Sequence, residues 1–361
     1  MRLLQPGPGR YIHGMQVLDT VGPIVTDLGI HTVTVVSGSK SYAAAGGVVT
    51  ASLTRAQVRW RVVTYGGECS EEEVARISGH LLSKTDAVMG IGGGKVLDLA
   101  KIVADRASLP CVAIPTLISN CAATNPNTTV YYPDGRFRHS HLCKVPPRVT
   151  VVDDTRLRAS PLRYFLSGLA DTLVKPYEAK LAVADGAPWT SRLAYELALG
   201  GSQLIADRGA DVVTRFATSG AIDGLSDFID AVLLVGGMVG GIGGNAARTA
   251  AAHAVHNGLT EVAHAATLDT THGEKVAYGL VVQETLLGRE ATTLRDLRRM
   301  LRRLGLPDSW RTLTHAEGGF PSRLQAALED YLVRDGIMPT MPRVTASEVR
   351  QALVRVEAMT A

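Results

Sequence analysis

Along the first 154 residues, short apolar runs alternate with segments of helical periodicity. Thr32–Ser37 (TVTVVS) is a β-branched run that stops at Gly38, and 58–65 is a second strand, closed by Gly66 and Gly67. Ser70 then stands three residues ahead of Glu73, a capping-box spacing that predicts a helix to about Leu82. The apolar run 87–91 leads straight into Gly92-Gly93-Gly94, and a helix is expected over 95–104. Further buried strands are read at 111–114 and 149–152. Strand–helix alternation of this kind predicts parallel strands joined by crossover helices. After about Asp154 the pattern changes, and from Pro161 it is helical almost to the end. The expected architecture is an α/β domain over 1–154 and an all-α domain over 155–361. A cleft shared by two such domains is a usual place for a small-molecule site.

Composition narrows the function classes. A chain of 361 residues with 46% hydrophobic residues can bury a sizeable core, and its length suits two domains. Aromatics are 5% against 37 glycines, which suits close helix packing and Gly-rich turns better than a ring-lined binding face. Net charge is only +3, and no basic cluster is interleaved with aromatics, so no nucleic-acid partner is expected. The basic segment 294–304 reads as a solvated helix face with arginine stems over the core. Cys69, Cys111, Cys121 and Cys143 have no CxxC spacing, which argues against structural zinc held by thiolates. The N-terminus lacks an apolar signal region, and no uninterrupted apolar stretch of membrane-span length is read. The expectation is a cytoplasmic protein with free cysteines and no membrane partner.

Two constellations carry chemistry. Gly90-Ile91-Gly92-Gly93-Gly94-Lys95 follows a strand and opens a helix. Glycines there let a pyrophosphate approach the backbone, and the helix N-terminus offers N–H groups and a positive dipole end. The spacing is neither the Rossmann fingerprint nor a P-loop, so a tight strand-to-helix turn is the plainer alternative. A second rich run, Gly236–Gly244, has no strand before it and reads as close helix packing or a loop.

The other constellation is imidazole-rich. His253, His256, His264 and His272 fall within one short span, and His253 and His256 share a helix face. Two imidazoles and a carboxylate make a catalytic metal set with an open position. Asp171 on an apolar helix segment can supply the carboxylate, with Glu178 as the other candidate. Hydrogen-bonded core histidines, and an Asp171–Lys175 surface pair, are the ordinary alternatives.

The segments GPGRYIHG, GIGGGKVLDLAK, IPTLISNCAAT, GLADTLVKPYEA, HAVHNGLT and HGEKVAYG occur in this order over nearly the whole chain. Together they resemble the iron-containing alcohol dehydrogenase and glycerol dehydrogenase family, itself related to dehydroquinate synthase. GGMVGGIG, AAAHAVHNGLT and VAYGLVVQETLLG are most similar to its hydroxycarboxylate dehydrogenase branch. The resemblance implies a dehydroquinate synthase-like fold and a divalent metal on Asp171, His253 and His272. Zinc is the expected ion, with iron or nickel also accepted by this donor set. It also implies a pyrophosphate loop at Gly92, Gly93, Gly94 and Lys95, with Asp98 on the next helix and Thr116 and Leu117 near the nicotinamide. His256 becomes a near-site residue and a candidate proton relay. Lys175 faces either a substrate carboxylate or Asp171 and Glu178.

Two departures bear on specificity. Glycerol dehydrogenases usually carry an aspartate after IPT, where this chain has Ser119-Asn120-Cys121, which makes Cys121 a candidate substrate-side residue. NAD-preferring members place an acid after the strand at 32–37, where this chain reads Gly38-Ser39-Lys40. Without an acid to repel a 2′-phosphate, NADP(H) is expected over NAD(H). The expected function is reduction of a small carbonyl compound, a 2-oxo acid to a 2-hydroxy acid, by a homo-oligomer. The alternatives are a glycerol, diol or aldehyde dehydrogenase, an imine reductase, and a dehydroquinate synthase-like lyase or cyclase.

Overall fold

The computed structural model describes residues 3–184, 186–218, 224–334, 337, 338 and 340–359. By residue contacts these form two compact units. One comprises the described residues of 1–161 and 219–241, the other those of 162–218 and 242–361.

The first unit is built on a six-stranded sheet. Its strands are β1 (Tyr11–Gly14), β2 (Thr32–Ser37), β3 (Arg59–Thr64), β4 (Ala87–Gly92), β5 (Cys111–Pro115) and β8 (Val149–Asp153), in the order β1-β8-β5-β4-β2-β3, all parallel. β6 (Asn127–Tyr131) and β7 (Phe137–Leu142) form a separate antiparallel pair. Val33, Val35, Met89, Ile91, Val112 and Ile114 face one apolar cluster, and Val36 and Val88 face another with Leu99, Ile102 and Val103. Burial on both faces is why these strands read as unbroken apolar runs.

The strands at 32–37, 59–64, 87–92, 111–115 and 149–153 lie where the pattern places them, within one or two residues at each end. The helix after Ser70 ends at Ser78, short of Leu82, and the Glu73 side chain accepts from Gly66 N at 2.6 Å. β1 and the β6–β7 pair are not marked by the apolar pattern. β1 has only four half-buried residues, and β7 (FRHSHL) is polar on alternate positions. The turn signal Pro133-Asp134-Gly135 between β6 and β7 was the legible cue.

The segment after 224 joins this unit by polar ties. Asp230 Oδ1 accepts from Tyr11 Oη at 2.7 Å and lies 2.7 Å from His13 Nδ1. His13 Nε2 pairs with Asp154, and Ser226 Oγ donates to the other oxygen of Asp154 at 2.7 Å. The glycine run becomes helix Gly236–Arg248, interrupted at Gly244. A Cβ at Gly241 would collide with the Gln5 carbonyl, and one at Gly237 with the Thr124 side chain, so the run serves close packing. The helical stretch Leu225–Arg248 is long and apolar enough, by length and composition, to cross a membrane, although Asp227, Asp230 and Asn245 interrupt its apolar run. Its most apolar window is 61% buried inside the protein, as in a core helix.

The second unit is helical. Leu162–Ala179 packs on Trp189–Thr218 and on His272–Leu286, which in turn packs on Ala251–Val262. The basic amphipathic segment forms helix Ala291–Arg303, with Leu294, Leu297 and Leu301 buried. Arg298 on its inner face is also buried, paired with Asp308 at 2.9 Å.

Candidate functional site

Helix Leu162–Ala179 carries Asp171, Lys175 and Glu178 at i, i+4 and i+7, one face of an α-helix. That face is buried, with 2%, 3% and 0% exposure. Buried charges are costly unless paired, so their partners define the site. The surface pairing considered for Asp171 and Lys175 is therefore corrected in place though not in partner. Lys175 Nζ donates to Asp171 Oδ1 at 2.9 Å within the core.

Glu178 faces helix Ala251–Val262. Its Oε1 accepts from Ala250 N at 2.7 Å and His253 N at 3.1 Å, and its Oε2 lies 2.6 Å from His253 Nδ1. One carboxylate thus caps a helix that has no side-chain cap of its own and orients the imidazole in its first turn. His253 Nε2 then lies 3.4 Å from Asp171 Oδ1.

His272 opens helix His272–Leu286 behind a capping box of Thr271 and Glu274. Its Nε2 lies 3.8 Å from Asp171 Oδ1, and its Nδ1 lies 3.1 Å from His256 Nε2. His256 Nδ1 lies 2.9 Å from Asn257 Oδ1. The amide oxygen accepts only, so His256 Nδ1 carries a proton and its Nε2 accepts. His272 Nδ1 is then the donor, which leaves the His272 Nε2 lone pair directed at Asp171. Burial first, then His272 and Lys275, hold the His256 pKa well below its usual value, in keeping with a neutral ring.

Two backbone contacts bring these helices together. A Cβ at Gly273 would overlap the Ser167 carbonyl, and one at Gly279 the Ala252 carbonyl. Gly273 N also donates to Ser167 Oγ at 3.0 Å. Glycine at both positions lets the His272 helix close on the Asp171 and His253 helices.

Asp171, His253 and His272 each offer one ligand atom, all within 4.8 Å of one another. Burial opposes charge on Asp171, yet Lys175 and then His253 hold its pKa well below the usual carboxylate range. Burial likewise opposes a proton on His253, but Glu178 and Asp171 on either side raise its pKa to about 9. The site therefore demands positive charge between its carboxylates, and a divalent ion on two Nε2 atoms and a carboxylate meets that demand.

The remaining predicted residues lie in the α/β unit. β2 connects toward one edge of the sheet and β4 toward the other, so a topological switch point falls between their carboxyl ends. Gly38, Ser39 and Lys40 follow β2, and Gly92, Gly93, Gly94 and Lys95 end β4 and open helix Gly94–Ala107. Thr116 and Leu117 follow β5, with Thr116 N donating to Gly92 O at 3.0 Å. Added Cβ atoms would stand 2.8 Å from Leu117 Cδ1 at Gly93 and 2.7 Å from Asn120 Nδ2 at Gly94. Gly93 supplies no side-chain cap to the helix start. This is a backbone-lined crevice suited to a pyrophosphate. Lys95 pairs with Glu68 and lies 5.2 Å from the Tyr131 ring centre. Asp98 accepts from Thr129 N at 3.0 Å and pairs with Lys101 at 2.9 Å. Cys121 is buried in a short 3₁₀ turn, its Sγ 3.1 Å from Asn125 Nδ2. The roles missed from sequence are those of Glu178 as the orienter of His253 and of Gly273 and Gly279 as contact points. Only the i+7 spacing of Glu178 from Asp171 signalled the first.

A parallel α/β unit with a glycine crevice and a helical unit with a carboxylate–imidazole cluster are the parts of a metal- and nicotinamide-dependent enzyme, and the relatives make it a dehydrogenase. Residues 8–154 match the family model of iron-containing alcohol dehydrogenase. The chain is 36% identical over 232 residues to hydroxycarboxylate dehydrogenase A of Escherichia coli K12, covering 63% of each protein. It is 31% identical over 305 residues to glycerol dehydrogenase of Thermotoga maritima, covering 83% of this chain and 82% of that one. The crystal structure of a probable glycerol dehydrogenase from Sinorhizobium meliloti 1021 has the same fold, with a TM-score of 0.87 at 23% identity over 99% of this chain and 98% of that one. The chain belongs to the iron-containing alcohol dehydrogenase family, and is an NAD(P)-dependent oxidoreductase acting on an alcohol or hydroxy acid.

Proposed function

We propose that this dehydrogenase reduces a small 2-oxo acid to the 2-hydroxy acid, with Asp171, His253 and His272 holding the ion and NADP(H) favoured over NAD(H). The observation that carries the reading is Lys175, an ammonium 3% exposed and 2.9 Å from Asp171 Oδ1. A buried cation beside a divalent ion is repelled unless negative charge is added. Asp171 and Glu178 are two such charges, and a substrate carboxylate supplies a third. Lys275, also buried, adds to the positive field felt by His256. A neutral polyol offers no such compensation. The relative named hydroxycarboxylate dehydrogenase A supports the same substrate class.

When bound, the nicotinamide supplies hydride and the ion supplies Lewis-acid polarisation of the substrate oxygen. The chain's residues do the rest. Lys175 orients the carboxylate end of the substrate. Glu178 fixes His253 through Nδ1, and His256 fixes His272 through its Nε2. The proton for the substrate oxygen would be drawn from solvent, with His256, a buried imidazole beside His272, as the candidate relay. Gly92, Gly93, Gly94 and Lys95 hold the pyrophosphate, Thr116 and Leu117 contact the nicotinamide half, Cys121 faces the substrate, and Asp98 stiffens the helix behind the glycines. Ser39 and Lys40, both exposed, offer donors to a 2′-phosphate. In this reading the α/β unit is the dinucleotide-binding domain and the helical unit the metal-binding domain, in a homo-oligomer of the cytoplasm. Zinc is the ion best suited to the mixed donors, with iron and nickel as competitors.

A substrate panel tests this. Lys175→Met is expected to lower kcat/KM for a 2-oxo acid about 30-fold more than for a neutral aldehyde. Equal losses on both, or glycerol oxidation outpacing every 2-oxo acid, would overturn it in favour of the polyol reading that the glycerol dehydrogenase relatives support. A clear preference for NADH would refute the cofactor assignment.

A further inference from the structure

The α/β unit gathers a second set of metal-type donors. Asp105 sits in the last turn of helix Gly94–Ala107, His141 lies on β7, and Cys143 follows that strand. One ligand atom from each lies within 4.8 Å of the others. His141 Nε2 is 3.1 Å from Asp105 Oδ2. The three are held from behind. Lys144 N donates to Asp105 Oδ1 at 2.8 Å, which turns Oδ2 toward the imidazole. Cys143 N donates to Pro126 O at 2.9 Å, and Cys143 O accepts from Gln5 Nε2 at 3.2 Å. The carbonyl of His141 accepts from Thr128 Oγ1 at 2.9 Å.

An Asp–His pair alone is an ordinary ion pair. The thiol changes the picture. Cys143 is 2% exposed, and a carboxylate, an imidazole and a sulfur on three converging atoms are a donor set for a borderline-soft ion. The imidazole is the exposed side of the cluster, at 28% of its side chain, and offers an entry path. The lack of CxxC spacing did not reveal this set, because its ligands come from a helix 36 residues upstream of the strand.

We propose that Asp105, His141 and Cys143 bind a zinc-type divalent ion, with solvent in the fourth position, tying the β6–β7 pair to helix Gly94–Ala107. Binding forms a metal–sulfur bond, breaks the thiol S–H bond and releases that proton to solvent, with nothing oxidised or reduced. Burial pushes the Cys143 thiol up to about 12, so the uncomplexed thiol stays protonated and inert.

The proposed catalytic set contains no sulfur, so the two sites are separable by spectroscopy. Full-length protein is loaded with Co²⁺, and bound metal and the near-ultraviolet spectrum are measured. The expected result is about two ions per chain with a sulfur-to-cobalt charge-transfer band. Cys143→Ser is expected to lose the band and one ion, and His141→Ala one ion, each keeping carbonyl reduction within about twofold. His253→Ala is expected to lose activity and keep the band, so failure of either site leaves the other readable. A wild-type protein without the band, or a band that survives Cys143→Ser, would overturn the proposal. If Cys143→Ser does not fold, His141→Ala at its partly exposed position decides by ion count, and retention of both ions refutes the site.

Discussion

The glycine crevice and the proposed metal centre of the helical unit are built by opposite means. The crevice is made of backbone. Its parts are three loops at the carboxyl ends of neighbouring strands, and its selectivity comes from what glycine leaves out. The centre is made of buried charge. Asp171, Lys175, Glu178, His253 and His272 span three helices, and each is tolerated only because another neutralises it. A site of the first kind accepts small changes gradually. One of the second kind fails as a unit, because removing one partner strands the others in a dry interior.

That contrast can be broken most directly at Gly273. Gly273→Ala places a methyl on the Ser167 carbonyl, where backbone must move. The expected outcome is loss of the metal at this centre and of activity, with destabilisation of about 3 kcal/mol, read by metal analysis and denaturant unfolding. Full metal content in that variant would mean the helices do not need this approach.

Glu178→Gln comes next. It keeps the shape but removes the charge behind His253, and metal affinity is expected to fall about 10- to 100-fold. A competition titration with a chelator measures it, and an unchanged affinity would reduce Glu178 to a helix cap.

At the crevice, Gly94→Ala meets the amide end of Asn120 at 2.7 Å, a side chain that can turn away. KM for the dinucleotide is expected to rise about tenfold with the metal content of the catalytic centre intact. Loss of metal together with cofactor binding would erase the distinction between the two regions.

The smallest effect belongs to His13 in the α/β unit. Burial lowers its pKa, but Asp230 and Asp154 outweigh that and raise it to about 9 from 6.5. The folded state therefore binds this proton more tightly than the unfolded chain. The stabilisation is complete below pH 6.5 and is lost as pH rises through about 9. A contribution of about 1 to 2 kcal/mol is expected, and urea unfolding of His13→Gln against the parent at pH 6 and pH 10 isolates it. Parallel pH profiles in the two proteins would show that the Asp154–His13–Asp230 link adds nothing.

The α/β half was readable because its information is local. Short apolar runs mark β2, β4 and β5, the first two closed by glycine, and strands buried on both faces leave little ambiguity of period. The crevice follows from the same short stretches, since a strand end and the next helix start adjoin in the chain. β1 and β7 were not readable, because a half-buried edge strand and a polar hairpin carry no apolar signature.

The imidazole-rich span and the carboxylates of helix Leu162–Ala179 were visible from spacing, and the order of motifs joined Asp171 to His253 and His272. The sequence by itself determined the residue types, the helices that carry them and the turn from strand to helix at Gly92–Gly94. Only the tertiary structure decided that Lys175 lies in the core, that Glu178 orients His253, and that Asp105, His141 and Cys143 converge. The physical reason is that helix periodicity specifies which face a residue occupies, whereas burial and charge pairing depend on which distant face closes over it.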